Sequence, residues 1–370
     1  MPNLQEKTIN FIYLNAFSGM GGIEKFNRAF IESLLCCTSK CHFYSFYDKK
    51  IPLSHTTISF KQFSSKFVGV LQSLSAIFQT DITIIGHLNL AIIGMLAKLL
   101  FPKKRVIFIV HGIEIWQEVS WLKKMAVKHA DKILAVSEYS KNQLVSIYGI
   151  SPEKVSVFPN TLAPDFQLSQ NFEKPNYLLE RYQLAPTTKI LFTLARLSFT
   201  EQYKGYDTII TALPMLLTLF PTLHYIIAGK YDEQELVRLQ QLTQLHHVEK
   251  YVTFTGFVPD AEVQDHYLLA DAFVMPSKGE GFGIVFIEAM AYGVPALAGN
   301  VDGSRDALLQ GKIGKLVNPD DIHSIVTGIE ELLLQPLDKD KKIALQQTIL
   351  QHFGFNTFIE RTQNFLTTLD

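Results

Sequence analysis

The sequence predicts an α/β protein built from two doubly wound, Rossmann-like domains in tandem, facing a central cleft. Three observations predict it. Short β-rich runs alternate with helical segments along nearly the whole chain, the pattern of βαβ units and of a parallel sheet covered on both faces. A polar, Pro-containing stretch from Asn160 to about Pro175 interrupts the alternation, which then restarts. The chain has 370 residues, 47% of them hydrophobic, which suits two domains with a core each and argues against disorder. The expected division is a domain over 1–165, a linker over 166–185, a domain over 186–350, and a C-terminal helix over 351–370 packing back on the first domain.

In the first half, strands are expected at Ile9–Leu14, His42–Phe46, Ile82–Ile85, Val106–Val110, Ile133–Val136 and Val155–Phe158. Helices are expected at Gly22–Cys37, Leu88–Leu100, Ser120–His129 and Tyr139–Tyr148. After the break, strands are expected at Ile190–Leu194, Tyr225–Ala228, Val252–Thr255, Ala272–Met275 and Ala296–Ala298. The helices between them are Tyr206–Leu219, Glu233–Leu245, Glu262–Leu269, Ile284–Tyr292 and Asp321–Leu334. The stretch from Lys339 to Leu369 reads as helical. Ligands of such sheets sit at the carboxyl ends of the strands.

Charge is balanced overall, with 34 Lys and Arg against 35 Asp and Glu, but not along the chain. Residues 1–170 carry 18 basic and 11 acidic side chains, and the remainder 16 and 24. The basic half suits an anionic partner such as a phospholipid surface or a phosphate-bearing molecule. Its charge is too dilute for DNA binding, and no nucleic-acid motif accompanies it. The only cysteines, Cys36, Cys37 and Cys41, are too close and too few for a disulfide framework or a zinc site. The N-terminus is polar and runs straight into a strand, so no signal peptide is expected. The apolar stretch Ile82–Phe101 is broken by His87, Asn89 and Lys98, and reads as a strand and a helix rather than a membrane span. A cytoplasmic chain, with the option of the membrane's inner face, is the expectation.

The stretch richest in chemistry runs from Met275 to Pro295. Pro276, Gly279, Gly281 and Gly283 shape a tight loop between a strand and a helix. Gly281, Phe282 and Gly283 present backbone that a ligand can approach closely, and the helix start suits phosphate. Glu280 lies in the loop and Glu288 about one turn into the helix, where both can face one ligand. Such a carboxylate pair suits sugar hydroxyls, whose hydrogen bonds to it are charge-assisted.

With its Glu, seven residues and second Glu, this stretch resembles the donor-site signature of the family 4 retaining glycosyltransferases. Other motifs extend the resemblance over nearly the whole chain: Gly21-Gly22-Ile23-Glu24, His111-Gly112, Ala195-Arg196-Leu197 with Tyr203-Lys204-Gly205, Ala228-Gly229-Lys230, and Thr255-Gly256-Phe257-Val258. The resemblance implies the two-domain GT-B fold. It implies an N-terminal acceptor-binding domain and a C-terminal domain that binds a nucleotide diphosphate sugar. Arg196 and Lys204 resemble the family's diphosphate clamp, Glu280 the residue on the sugar hydroxyls, and Glu288 the residue on the ribose. His111 would lie near the transferred sugar or the acceptor. Gly21 and Gly22 would bring backbone N–H groups to the diphosphate or acceptor, and the base would contact loops around Lys230 and Phe257-Val258.

Two segments depart from the family pattern. Asn160-Thr161-Leu162-Ala163-Pro164-Asp165 replaces Asn-Gly-Val-Asp, and Asn300-Val301-Asp302-Gly303-Ser304-Arg305-Asp306 replaces Gly-Gly…Glu. The second is similar to exopolysaccharide mannosyltransferases that use GDP-mannose. The implied activity is retaining hexosyl transfer, mannose before glucose, to a saccharide or lipid-linked saccharide, with no cofactor and no metal. Asp338-Lys339-Asp340 has a spacing used by metal-dependent transferases of another fold, but reads as a charged helix start. Alternatives are a GT-B epimerase and a non-catalytic nucleotide-sugar-binding protein, although the latter would be expected to lose Glu280, Arg196 or Lys204. A phosphorylase would need a pyridoxal-binding lysine that nothing marks. A dinucleotide oxidoreductase is disfavoured by Glu24, where the glycine fingerprint needs a small residue. The sequence Trp121-Leu122-Lys123-Lys124, with Lys128, permits peripheral contact with an anionic membrane.

Overall fold

The computed structural model describes residues 7–19, 21–38, 40–48, 59–63, 65–116 and 119–369. Met20 of the glycine loop, the polar start 1–6 and Asp370 lie outside them. The chain forms two compact units, 1–166 with 353–370, and 167–352.

The first unit holds a seven-stranded parallel sheet of β1 (Ile9–Tyr13), β2 (Cys41–Ser45), β3 (Ser59–Gln62), β4 (Ile82–Ile85), β5 (Arg105–Val110), β6 (Lys132–Ala135) and β7 (Val155–Val157). Its order is β3-β2-β1-β4-β5-β6-β7. The central strands are buried on both faces, so Phe11, Ile12, Ile84, Ile85, Ile107 and Phe108 follow one another without polar alternation. Right-handed crossovers put the helix from β1 to β2, Gly22–Cys37, on one face. Helices Lys66–Gln79, Ala91–Leu100 and Trp121–His129, whose crossovers run the opposite way along the sheet, cover the other. The C-terminal helix Phe355–Thr367 packs against Gly22–Cys37. Phe358 meets Phe26 and Phe158 edge to face there, and the Thr362 hydroxyl donates to Ser33 Oγ at 3.0 Å.

The second unit holds a six-stranded parallel sheet of β8 (Ile190–Leu194), β9 (His224–Ala228), β10 (Val252–Gly256), β11 (Ala272–Met275), β12 (Ala296–Gly299) and β13 (Lys315–Val317), in the order β10-β9-β8-β11-β12-β13. The direction of winding reverses between β1 and β4 in one sheet and between β8 and β11 in the other. The crevice outside the carboxyl ends of strands at such a point is the natural ligand site of an open α/β sheet.

Strands β3 and β13 were not among the sequence expectations, nor were helices Lys66–Gln79 and Asn176–Arg181. The helical stretch expected over Lys339–Leu369 is two helices, Lys339–Phe353 and Phe355–Thr367, divided where Gly354 is extended at φ −69°, ψ 155°. Asn160, Thr161 and Leu162 are buried in the first unit, where the Leu162 N–H and the Thr161 hydroxyl both donate to the Phe353 carbonyl at 2.9 Å. The apolar stretch Ile82–Phe101 resolves into β4, a 3-10 turn and the ten-residue helix Ala91–Leu100. No helix among the described residues is long and apolar enough to cross a membrane.

Candidate active site

In the second unit the switch point lies between a loop after β8, carrying Arg196 and Lys204, and a loop after β11, carrying Glu280. One glycine lets them meet. Gly205 follows Lys204 in the left-handed region at φ +79°, and a Cβ there would stand 2.4 Å from the Pro276 carbonyl oxygen. Without that Cβ the turn lies on the second loop, and the Lys278 N–H donates to the Tyr203 carbonyl at 2.8 Å. Lys204 Nζ then stands 2.5 Å from Glu280 Oε1, with the two side chains 14% and 17% exposed. Burial by itself disfavours the Lys204 ammonium, but the Glu280 carboxylate and Tyr203 outweigh it and raise its pKa. The Lys204 ammonium is therefore charged at neutral pH. The Arg196 guanidinium is close enough to oppose the charge on Lys204, yet its own side chain is 71% exposed and pairs with Glu201.

Glu280 is anchored from behind by Asp302, in the loop after β12. Asp302 Oδ2 accepts the Glu280 N–H at 2.7 Å, and Oδ1 accepts the Ser304 N–H at 2.9 Å and the Ser304 hydroxyl at 2.5 Å. The Gly303 N–H returns a bond to the Glu280 carbonyl at 2.8 Å. Burial pushes the Asp302 carboxyl up to about 6, against the pull of these donors. Glu288 is buried in helix Ile284–Ala291 and accepts from the Tyr267 hydroxyl at 3.0 Å. Gly283, at φ +83°, precedes that helix with no side-chain cap. The Phe282 ring is in the core, so Phe282 and its glycine neighbours offer a ligand only backbone. At the ends of β9 and β10, Lys230 and Phe257 are exposed.

In the first unit, Gly21 precedes helix Gly22–Cys37 without a side-chain cap. The loop from β1 to that helix is held by Asp48, buried after β2. Its carboxylate accepts the N–H groups of Ala16, Phe17 and Ser18 at 2.8–2.9 Å and the Ser45 hydroxyl at 2.9 Å. Arg28 Nη1 donates to the Ala16 and Gly19 carbonyls at 2.8 and 3.2 Å. His111 follows β5 and is buried. Its Nε2 lies 2.9 Å from the Gly86 carbonyl, which only accepts, so Nε2 carries the proton and Nδ1 of the neutral ring presents a lone pair. Glu114 Oε1 accepts the His111 N–H at 2.7 Å. The His87 ring is 6.0 Å from that of His111, and its Nδ1 accepts the Asn89 N–H at 2.9 Å. Burial pushes the His87 pKa down to about 4.

Thus Lys204 and Glu280 are in direct contact, Arg196 is near them, and Glu288 lies in the helix behind their loop. Gly21, Gly22 and His111 belong to the switch-point side of the other unit. Sequence reasoning missed Asp48 as a site residue and noted Asp302 only as a departure from the family pattern. Among the described residues, no three His, Cys, Asp or Glu side chains are grouped to hold a metal ion.

Two family profiles match the chain: "Glycosyltransferase Family 4" over residues 33–166 and "Glycosyl transferases group 1" over residues 178–347. The chain is 29% identical, over 74% of its length and 71% of the relative's, to the GDP-mannose-dependent alpha-(1-6)-phosphatidylinositol monomannoside mannosyltransferase of Mycolicibacterium smegmatis. It is 26% identical, over 80% and 81% of the two chains, to an uncharacterized 41.2 kDa protein in the cps region of Klebsiella pneumoniae. Its fold is similar to that of Anabaena HepE, crystallised with UDP, at a TM-score of 0.78 and 20% identity over 98% of this chain and 100% of that one. A family 4 domain followed by a group 1 domain, each on a doubly wound parallel sheet, makes this chain a nucleotide-sugar glycosyltransferase of the GT-B fold.

Proposed function

We propose that the chain transfers mannose from GDP-mannose, with retention of configuration and without a metal, to a saccharide or lipid-linked saccharide acceptor in exopolysaccharide or cell-envelope synthesis. The donor rests on the mannosyltransferase relative, and the setting on the relative in a cps region. The chemistry rests on one observation, the Lys204–Glu280 pair at the carboxyl ends of β8 and β11.

That pair sets a cation for the diphosphate beside a carboxylate for the sugar. An ammonium has three N–H donors, so Lys204 can keep Glu280 and still reach phosphate. Arg196 is the more mobile partner, since its own side chain is largely exposed and its contact with Glu201 can be exchanged for phosphate. As the bond from the anomeric carbon to the donor phosphate breaks, negative charge gathers on the leaving diphosphate and fixed cations stabilise it. Glu280 binds sugar hydroxyls and favours the positive character developing on the ring, while Glu288 serves the ribose. Backbone N–H groups around Gly281, Phe282 and Gly283, and of Gly21 and Gly22, serve the phosphates. His111 accepts a hydroxyl through Nδ1. The acceptor oxygen attacks the face that the leaving group departs from, and its proton passes to a donor phosphate oxygen.

A screen of nucleotide sugars with saccharide acceptors, read by nucleotide release, tests this. GDP-mannose should be turned over fastest, with a glycosylated product. Isomerised donor would mean an epimerase, and no release from any donor would mean a binding protein. The one-bond carbon–proton coupling at the anomeric centre of the first-formed product should report the α configuration. A β product would overturn retention.

A further inference from the structure

The central strands of the first unit are apolar on both faces, but one corner of its sheet is polar. On the face that helix Lys66–Gln79 covers, Asn10, His42 and Thr83 stand in register on β1, β2 and β4, and Tyr44 and Lys61 on β2 and β3. Strands of a covered parallel sheet ordinarily show their helices an apolar run there. Between this corner and the end of the helix lies a cavity of about 290 Å³. Thr8, His42, Tyr44 and Lys61 line it from the sheet, and Ala76 and Thr80 from the helix side. None of the described residues that line it is acidic. Lys61 is exposed, with its ammonium 5.9 Å from the centre of the Tyr44 ring, and it forms no ion pair among the described residues. The His42 ring and the Tyr44 hydroxyl have no hydrogen-bond partner among those residues either. Thr80 is fixed from behind: its hydroxyl donates to the Ala76 carbonyl at 3.1 Å and accepts from Asn10 Nδ2 at 2.9 Å, which leaves it one lone pair. Ala76 is small, and a longer side chain at its position would fill the space.

We propose that this cavity is a second binding site, separate from the transfer site, for a small phosphomonoester that carries hydroxyl groups, of the class of a hexose phosphate. A cation, a phenol and an imidazole with no other partners converge on it, and they suit the several oxygens of a phosphate. The charge-assisted bond from Lys61 is the strongest of these. Thr8 and Thr80 suit the hydroxyls of an attached ring. The volume is at the small end of ligand pockets, which run from ~300 to ~1,000 Å³. It has room for one ring and its phosphate, and not for a nucleotide sugar. The site sits toward the amino ends of β1, β2 and β3, whereas Gly21 and His111 follow the carboxyl ends of β1 and β5. A ligand here therefore leaves the switch point of the same sheet open, and the proposal does not depend on the donor or acceptor of the transfer reaction.

The test is calorimetric titration of the full chain with mannose 6-phosphate, inorganic phosphate and mannose. The ester should bind, and phosphate and mannose should each bind at least ~10-fold more weakly, because each lacks part of the hydrogen bonding. Lys61→Ala, at an exposed position, should weaken the ester at least ~10-fold, the loss of one hydrogen bond to a charged group. Ala76→Leu should abolish binding by filling the cavity; if that variant does not fold, Lys61→Ala decides alone. Lys204→Ala, which alters the transfer site, should leave the affinity for the ester unchanged. No binding of the ester at millimolar concentration would overturn the proposal. So would inorganic phosphate binding as tightly as the ester, or ester binding that Lys204→Ala removes and Lys61→Ala spares.

Discussion

The two units solve one problem twice. Each sheet is doubly wound, and each has a loop at its switch point held by a single buried aspartate that follows the neighbouring strand. Asp48 gathers three backbone N–H groups of the loop after β1, and Asp302 holds the Glu280 N–H after β11. What the aspartates hold differs. The first unit presents glycine backbone and the imidazoles of His87 and His111, with the charges of Arg28 and Glu114 tied to its own backbone. The second presents two ion pairs, Lys204–Glu280 and Arg196–Glu201. A doubly wound sheet fixes where chemistry happens, and the loop residues decide whether it is charge chemistry.

The sharpest way to break this contrast is to remove charge from the second unit without changing its shape. Glu280→Gln should lower turnover by at least ~10²-fold while nucleotide alone still binds, because the lost charge acts on the developing cation of the sugar rather than on the nucleotide. Near-wild-type turnover by a folded variant would remove Glu280 from the chemistry.

A smaller effect separates the two cations. Lys204→Ala and Arg196→Ala should each weaken the nucleoside diphosphate more than the nucleoside, as a hydrogen bond to a charged group is worth ~1.5–3 kcal/mol. Lys204→Ala should cost more, at least ~10-fold, because it also strips the partly buried Glu280 of its partner. Arg196 must first give up Glu201, which offsets part of its gain. Calorimetry with GDP and guanosine measures both. Equal losses for the two ligands would show that neither residue touches phosphate.

Acid distinguishes Asp302 of the second unit from His87 of the first by sign. Asp302 has a pKa raised from 3.8 to about 6, so the folded state holds its proton more tightly. The stability this gives is complete below pH 3.8 and is lost as pH rises through about 6, on the order of 3 kcal/mol. His87 is lowered from 6.5 to about 4, so its stability is complete above pH 6.5 and is lost as pH falls through about 4. His224, in the second unit, follows the same sign as His87. Between pH 4 and 6, Asp302→Asn should therefore make the thermal midpoint rise more steeply with pH than in the wild type. His87→Asn, which keeps an acceptor for the Asn89 N–H, should make it rise less. Parallel curves for all three proteins would refute these environments.

Much of this architecture was legible in the sequence, and what was not has physical causes. Central strands such as β4, β8 and β11 were read to the residue, since apolar runs bounded by turns announce burial on both faces. Edge strands β3 and β13 were missed because Ser59–Gln62 and Lys315–Val317 are short and half polar; only pairing with a neighbour makes them strands. Helix Lys66–Gln79 was hidden because its outward face is apolar, so the expected alternation of apolar and polar stripes was absent. Lys204 and Glu280 were found through local motifs, but their contact depends on Gly205 lying against Pro276, 71 residues apart in sequence. Asp302 and Asp48 carry no local signal for the loops they hold. Their role follows from the order of the strands.

The smallest expected effect is none at all. Turnover should survive exhaustive chelation, because Lys204 and Arg196 supply the positive charge that the leaving diphosphate requires. A divalent ion would need carboxylates free to bind it beside the diphosphate. Here the carboxylates nearest the clamp are engaged: Glu280 with Lys204, Glu201 with Arg196, and Asp302 with the Glu280 and Ser304 N–H groups. An ion entering the site would have to displace those contacts and would meet two cations already in place. Enzyme dialysed against EDTA and assayed with GDP-mannose should keep its rate within about twofold, and added magnesium or manganese should not raise it. A rate that collapses on chelation and returns with either metal would show that the two cations are insufficient, and would make the second unit's charge chemistry dependent on an ion as well as on its own side chains.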